Sequence, residues 1–184
     1  MRSQGALSLR AETRRVSRLQ HWAARGLDAL AVAIVLAAVA RFVVVPRLPQ
    51  HLPAQAPPLS MPLLAGGRYD LARTRGHVVF LDFWASWCDP CRASIPLVQR
   101  FRRAHPGVDV VSVDAGEDVA AVRPFVARFA MHDVALDPDM TVTRAFGVVG
   151  YPTLVAIDRT GRIRARWMGF DPDIEREMQS LSVR

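Results

Sequence analysis

Residues 84–91 read Trp-Ala-Ser-Trp-Cys-Asp-Pro-Cys and hold Cys88 and Cys91, the only cysteines in a chain of 184 residues. The run before them, Val78-Val-Phe-Leu-Asp-Phe83, is apolar and rich in strand formers, the pattern of a buried β-strand. After Cys91, Ile95, Val98 and Phe101 recur at helical spacing, which predicts a helix over 91–104. A C-x-x-C placed between a buried strand and a helix start is a dithiol redox arrangement. Its cysteines lie one helical turn apart, close enough to close or open a small disulfide ring.

The chemistry follows from that placement. The thiolate is the nucleophile in disulfide exchange, and an ordinary cysteine has a pKa of about 8.5. Unpaired N–H groups and the dipole at a helix N-terminus favour the anion. Cys88, expected to be exposed, is therefore the candidate nucleophile, and Cys91, expected to be buried, the resolving thiol. Pro90 falls in the first turn, where its missing N–H costs little. Asp89 places a negative charge beside Cys88 and opposes part of the dipole effect, which points to a reducing or mid-range couple.

Two cysteines exclude a disulfide framework and a four-cysteine zinc site, and Arg92 after Cys91 excludes the C-x-x-C-H haem attachment pattern. No metal or cofactor site is read from the chain. The formal charge of +7 is unevenly spread: six arginines face two acids in residues 1–28, whereas residues 59–184 carry 16 arginines and 15 acids. The basic excess belongs to the N-terminus, and nucleic acid is not an expected partner of the folded part.

Four segments are expected. Residues 1–28 form an Arg-rich tail, with Trp22 placed where an indole can sit at a membrane interface. Residues 29–45 form an apolar run broken only by Arg41, at the short end of the roughly 17–25 residues that cross a bilayer. It reads as a single transmembrane anchor, with a cleaved signal ending at Ala38-Val39-Ala40 as the competing reading. The upstream arginines hold the N-terminus in the cytoplasm and send the remainder outward. Residues 46–58 carry five prolines, an extended tether reaching roughly 40 Å at ~3.1 Å per residue.

Residues 59–184 form the globular domain. A hairpin or strand leads in over Leu63–Leu71. Strand 78–83, helix 91–104 and strand 108–113 make a parallel pair with a right-handed crossover. A second helix is expected over 117–130, with Pro124 able to kink it. A turn at Asp137-Pro138-Asp139 and a short helix over 140–146 follow. Strands 154–158 and 163–167 flank Arg159-Thr-Gly161 as a hairpin, and 173–181 closes the chain as a helix. The result is an α/β mixed sheet with helices on both faces.

With these elements in order, the chain resembles the thioredoxin superfamily, and within it the membrane-anchored TlpA/ResA-like thiol-disulfide oxidoreductases. Leu81 through Cys91 is similar to the thioredoxin active-site strand and loop, Pro96 to the proline of the active-site helix, and Gly150-Tyr-Pro-Thr153 to the cis-proline loop. The resemblance implies a thioredoxin fold and a cis Tyr151–Pro152 bond beside the dithiol, although X-Pro bonds are cis in only about 5–6% of folded cases. It implies that Asp82 is the buried acid that takes the proton of Cys91, and that Trp87, Asp89, Pro90, Tyr151 and Pro152 meet the substrate. The chain departs from the TlpA pattern at Ser94, where an acid is common, and at Asp82, where a neutral polar residue is common.

The function expected is that of a single-pass protein of the bacterial inner membrane with its catalytic domain in the periplasm. It would reduce protein disulfides, such as those of apocytochrome c or of metalloprotein cysteine pairs. A reductant in an oxidising compartment requires electrons from a membrane thiol–disulfide transporter. The rival is a copper-delivery protein in which Cys88 and Cys91 hold Cu(I) with a histidine or methionine. His77, His105 and His132 all fall outside the loops expected around the dithiol.

Overall fold

In the computed structural model, residues 55–182 and the short stretch 32–34 are described. The tail 1–28, nearly all of the apolar run 29–45 and the tether up to residue 54 lie outside the described residues. The chain divides into two units, 1–51 and 52–184, and all the elements named below belong to the second. No helix of the described residues is long and apolar enough to cross a membrane.

The lead-in is a small antiparallel hairpin, β1 (Ser60–Pro62) and β2 (Arg68–Asp70), followed by a 3₁₀ turn over Leu71–Thr74. Every residue of β3 (Val79–Trp84) is buried, as an apolar run broken only by Asp82 suits a central strand. The helix α1 (Asp89–Ala104) leads to β4 (Asp109–Ala115), parallel to β3. Next come α2 (Val119–Arg128), β5 (Val134–Asp137), α3 (Thr141–Ala145), the hairpin β6 (Thr153–Ile157) and β7 (Ile163–Met168), and α4 (Ile174–Ser182). The strands of the main sheet lie in the order β5-β4-β3-β6-β7, parallel from β3 to β5 and antiparallel from β3 to β7.

Side chains alternate across a strand, and in β3 the alternation builds two cores. Val79, Leu81 and Phe83 pack with Leu59, Met61 and Phe146 on one face. Val78 and Phe80 pack on the other with Val98 and Phe101 of α1 and with Ile174 and Met178 of α4. Trp84 continues that second face, against Cys91 and Ile95 of α1 and Val122 and Phe125 of α2. The second face is therefore covered by α1, α2 and α4, and the first by the lead-in segment together with Val142 of the short α3, so helices lie on both faces of a mixed sheet as expected.

Several boundaries differ from the expectation. The active-site helix begins at Asp89, two residues before the apolar periodicity does, because Asp89 and Pro90 belong to a first turn capped by Cys88. The second helix starts at Val119 with Asp118 as its cap residue, so Glu117 lies in the turn before it. Pro124 stays inside this helix. Strand β5 is not among the expected elements: it has only four residues, and pairing with β4 rather than any pattern of its own defines it.

The core at Phe80 offers a direct check. Phe80 is fully buried and meets Phe101 edge to face at 5.5 Å. Phe80→Ala is expected to cost about 3–5 kcal/mol of unfolding free energy in urea titrations. The Phe80→Ala/Phe101→Ala pair should cost less than the sum of the single changes, because the two rings share one contact.

Candidate active site

The end of β3 delivers the dithiol to the start of α1. Cys88 is the N-cap residue, with extended backbone, and its Sγ accepts the N–H of Cys91 at 3.2 Å. Cys88 and Cys91 form a disulfide with Cα atoms 5.3 Å apart. Cys91 is fully buried, as expected. Cys88 is not exposed as expected: only 5% of its surface is accessible. The reason is local. In the oxidised ring its sulfur is turned onto the first turn of α1, within the cluster formed by Trp84, Ala85, Cys91 and Ile95.

The dithiol reaches solvent through an open hollow of about 410 Å³ lined by Trp87, Cys88, Asp89, Pro90, Val149, Gly150 and Tyr151. Six of these are singled out in the sequence, Gly150 as the first residue of the Gly150–Thr153 loop. Trp87 is two-thirds exposed and meets the Tyr151 ring edge to face at 5.8 Å, so it flanks the hollow rather than covering it. The Tyr151–Pro152 bond is cis, as the resemblance implies. Pro152 is buried beside Tyr151, and its carbonyl accepts the N–H of Gly169, which ties this loop to the end of β7. Val149, 70% exposed, is a lining residue that the sequence pattern did not single out; a Val-Val pair between two glycines carries no signal of its own.

Asp89 projects into solvent, with Arg92 3.4 Å away. An exposed pair of this kind is weak, so the carboxylate continues to oppose negative charge on the neighbouring sulfur. Arg92 also donates to the carbonyl of Ser86 at 3.1 Å.

Asp82 does not line the hollow. It is buried in mid-sheet, opposite Ser112 on β4 and Leu154 on β6. The alternation along β3 places it between Phe80 and Trp84, on the face covered by α1. Its Oδ2 has no hydrogen-bond partner, and burial pushes its pKa up to about 7. Such a group can take and return a proton near neutral pH. Burial also raises the Tyr151 phenol, helped by the nearby carboxyls of Asp137, Asp114 and Glu117.

Among the described residues no group of three or more His, Cys, Asp or Glu side chains is placed to hold a metal ion. His77 pairs with Asp109 at 3.4 Å, and His105 stacks on Phe101. Both lie away from the hollow.

A thioredoxin-type sheet, a C-x-x-C disulfide capping a helix and a cis-proline loop facing it define the class of dithiol oxidoreductases. The redoxin family profile matches residues 53–181. The ResA thiol-disulfide oxidoreductase of Geobacillus kaustophilus is 31% identical over 131 residues, 68% of this chain and 75% of that protein. The ResA protein of Bacillus thuringiensis subsp. konkukian is 31% identical over 112 residues, 59% of this chain; the match spans 65% of that relative's length. A solved thiol:disulfide interchange protein of the DsbE type from Chlorobium tepidum superposes with a TM-score of 0.67 at 32% identity, covering 73% of this chain and 97% of that one. The chain belongs to the redoxin family, among its ResA-like thiol-disulfide oxidoreductases.

The buried acid generates a prediction about stability. Asp82 has a folded pKa of about 7 against an ordinary 3.8. Well below pH 3.8 it is neutral in both folded and unfolded chains and has no effect. As pH rises the unfolded chain ionises first, so Asp82 destabilises the fold progressively until about pH 7 and by a constant amount above it. Asp82→Asn should therefore stabilise the oxidised protein little at pH 4 and by up to roughly 4 kcal/mol at pH 8, at ~1.4 kcal/mol per pKa unit. Urea unfolding at the two pH values measures the difference.

Proposed function

We infer that this protein reduces disulfides of other proteins in the bacterial periplasm, held to the inner membrane by residues 29–45. The observation that carries the reading is the Cys88–Cys91 disulfide at the start of α1, with Cys88 lining an open hollow together with Trp87, Val149 and Tyr151. A hollow of that make-up accepts an extended protein segment bearing a cystine. Protein disulfides, rather than small thiols, are therefore the substrate class.

The reaction starts from the reduced dithiol. The Cys88 thiolate attacks one sulfur of the target disulfide; a mixed disulfide forms and the first target thiolate leaves, taking a proton. Asp82 accepts the proton of Cys91, which attacks the Cys88 sulfur. The mixed disulfide breaks, the second target thiolate leaves and is protonated, and the Cys88–Cys91 disulfide remains. Two electrons have passed to the target. A membrane thiol–disulfide transporter restores them, because an oxidising compartment holds no reducing thiol pool. Asp89 favours this direction: a charge that disfavours the thiolate makes the reduced dithiol a better donor, whereas a stabilised reduced form makes an oxidant.

Tethering is supported by the apolar run, the prolines after it and the place where the chain enters the domain. Gln55 bridges to Arg162 and the Ala56 N–H bonds to the Gly161 carbonyl, at the β6–β7 turn. That is the end of the sheet opposite the dithiol, because Ile157 at the end of β6 pairs with Val79 at the start of β3. Targets such as apocytochrome c or metalloprotein cysteine pairs fit the chemistry.

Full-length Cys91→Ala protein, expressed in cells, should accumulate partners as reductant-sensitive adducts on non-reducing gels, and a further Cys88→Ala change should abolish them. Absence of adducts with Cys91→Ala contradicts the reading. The same cells test the anchor: the protein should stay with membranes through a high-salt wash, and its release argues against a spanning segment.

A further inference from the structure

Behind the dithiol loop lies a second pair of acids with no part in the exchange described above. Asp114, near the end of β4, is fully buried, and neither of its carboxyl oxygens has a hydrogen-bond partner of good geometry. It stands opposite Trp84 on β3 and Leu136 on β5. Ser112, two residues earlier on the same face, meets Gln99 of α1, so Asp114 also points toward the active-site helix. The groups facing it belong to Glu117: its carboxyl, which pushes the Asp114 pKa up, and its backbone N–H, which pulls it down.

Glu117 reaches the other way. Its two carboxylate oxygens accept the backbone N–H and the hydroxyl of Ser86, two residues before Cys88. The turn that allows this depends on Gly116, which has a φ of +82°; a Cβ there would lie 3.0 Å from the Met140 side chain. Since Arg92 holds the Ser86 carbonyl, all three polar groups of Ser86 are engaged, and the segment between β3 and α1 is fixed from both sides.

Two ionised carboxyls in this position would repel each other and leave Asp114 unsatisfied. One shared proton removes both costs, because a protonated carboxyl is a donor and its neighbour an acceptor. We propose that Asp114 and Glu117 act as a positioning pair for the dithiol: a single proton held between them keeps Glu117 on Ser86, and so holds the turn that presents Cys88 at the start of α1. Burial and Glu117 raise the Asp114 pKa to about 8, which keeps that proton in place at neutral pH. Asp137 and the Tyr151 phenol are the other titratable groups near the pair. Asp137 is already committed to the N–H groups of Val142 and Thr143 and the Thr143 hydroxyl. The pair rests on dithiol exchange at Cys88, not on the direction or target given in the proposed function.

The test follows the rate of Cys88 alkylation by iodoacetamide against pH, in full-length Cys91→Ala protein reduced with dithiothreitol, with circular dichroism to check folding. The parent should show two inflections, one from the thiol and a higher one from loss of the shared proton. Asp114→Asn should keep the neutral-pH rate and lose the upper inflection, because an amide donor holds Glu117 in place at every pH. Glu117→Ala should slow alkylation about tenfold, the order of one lost charged hydrogen bond. Glu117→Gln, which keeps an acceptor for Ser86, should recover most of the rate without the upper inflection. Identical single-inflection profiles in the parent and Asp114→Asn, or a parental rate in folded Glu117→Ala, overturn the proposal. If Asp114→Asn does not fold, Glu117→Gln carries the same comparison. Failure of the functional reading shows elsewhere, as missing adducts in cells with this pH profile intact.

Discussion

The reactivity of this protein depends on where β3 stops. The strand is buried on both faces and clamped between β4 and β6, so its end is fixed in space. The chain turns through Ala85–Trp87 and starts α1 with a cysteine as its cap. The N–H of Cys91 in that first turn is therefore directed at the Cys88 sulfur, and the second cysteine itself follows one turn on. Moving the strand end by one residue would carry the cysteine off the cap. The two cores that immobilise β3 are thus part of the chemistry, although none of their side chains touches a substrate.

Around that point the structure places charge unevenly. Asp82 and Asp114 are both buried on the face covered by α1, and both have raised pKa values because water is excluded from them. Their environments differ. Asp82 lies opposite Ser112 and Leu154, and its Oδ2 has no hydrogen-bond partner. Asp114 has Glu117 beside it, and Glu117 is engaged with the loop. In the roles proposed for them, the two acids on adjacent strands divide the work, Asp82 moving a proton and Asp114 holding one. Asp89, by contrast, is bathed in solvent and acts only through its charge.

Much of this was legible in the sequence. The octet 84–91 states its own geometry, because an apolar strand, a C-x-x-C and helical periodicity leave one arrangement for the cysteines. The Gly150–Thr153 loop was placed by resemblance, since nothing in Tyr-Pro itself distinguishes a cis bond from a trans one. What escaped depends on tertiary contacts. Strand β5 has four residues and no pattern of its own. Glu117 looks like the first residue of a helix until the left-handed backbone at Gly116 turns it back toward Ser86. The burial of Cys88 reflects the closed disulfide ring, a state that composition does not specify.

The central claim is that the helix start makes Cys88, and not Cys91, the attacking sulfur. Thiolate absorbance of the reduced protein, titrated against pH in full-length Cys88→Ser and Cys91→Ser variants, tests it most directly. The account predicts that the thiol remaining in Cys91→Ser ionises at distinctly lower pH than the one remaining in Cys88→Ser. Equal titrations, or the reverse order, would contradict it.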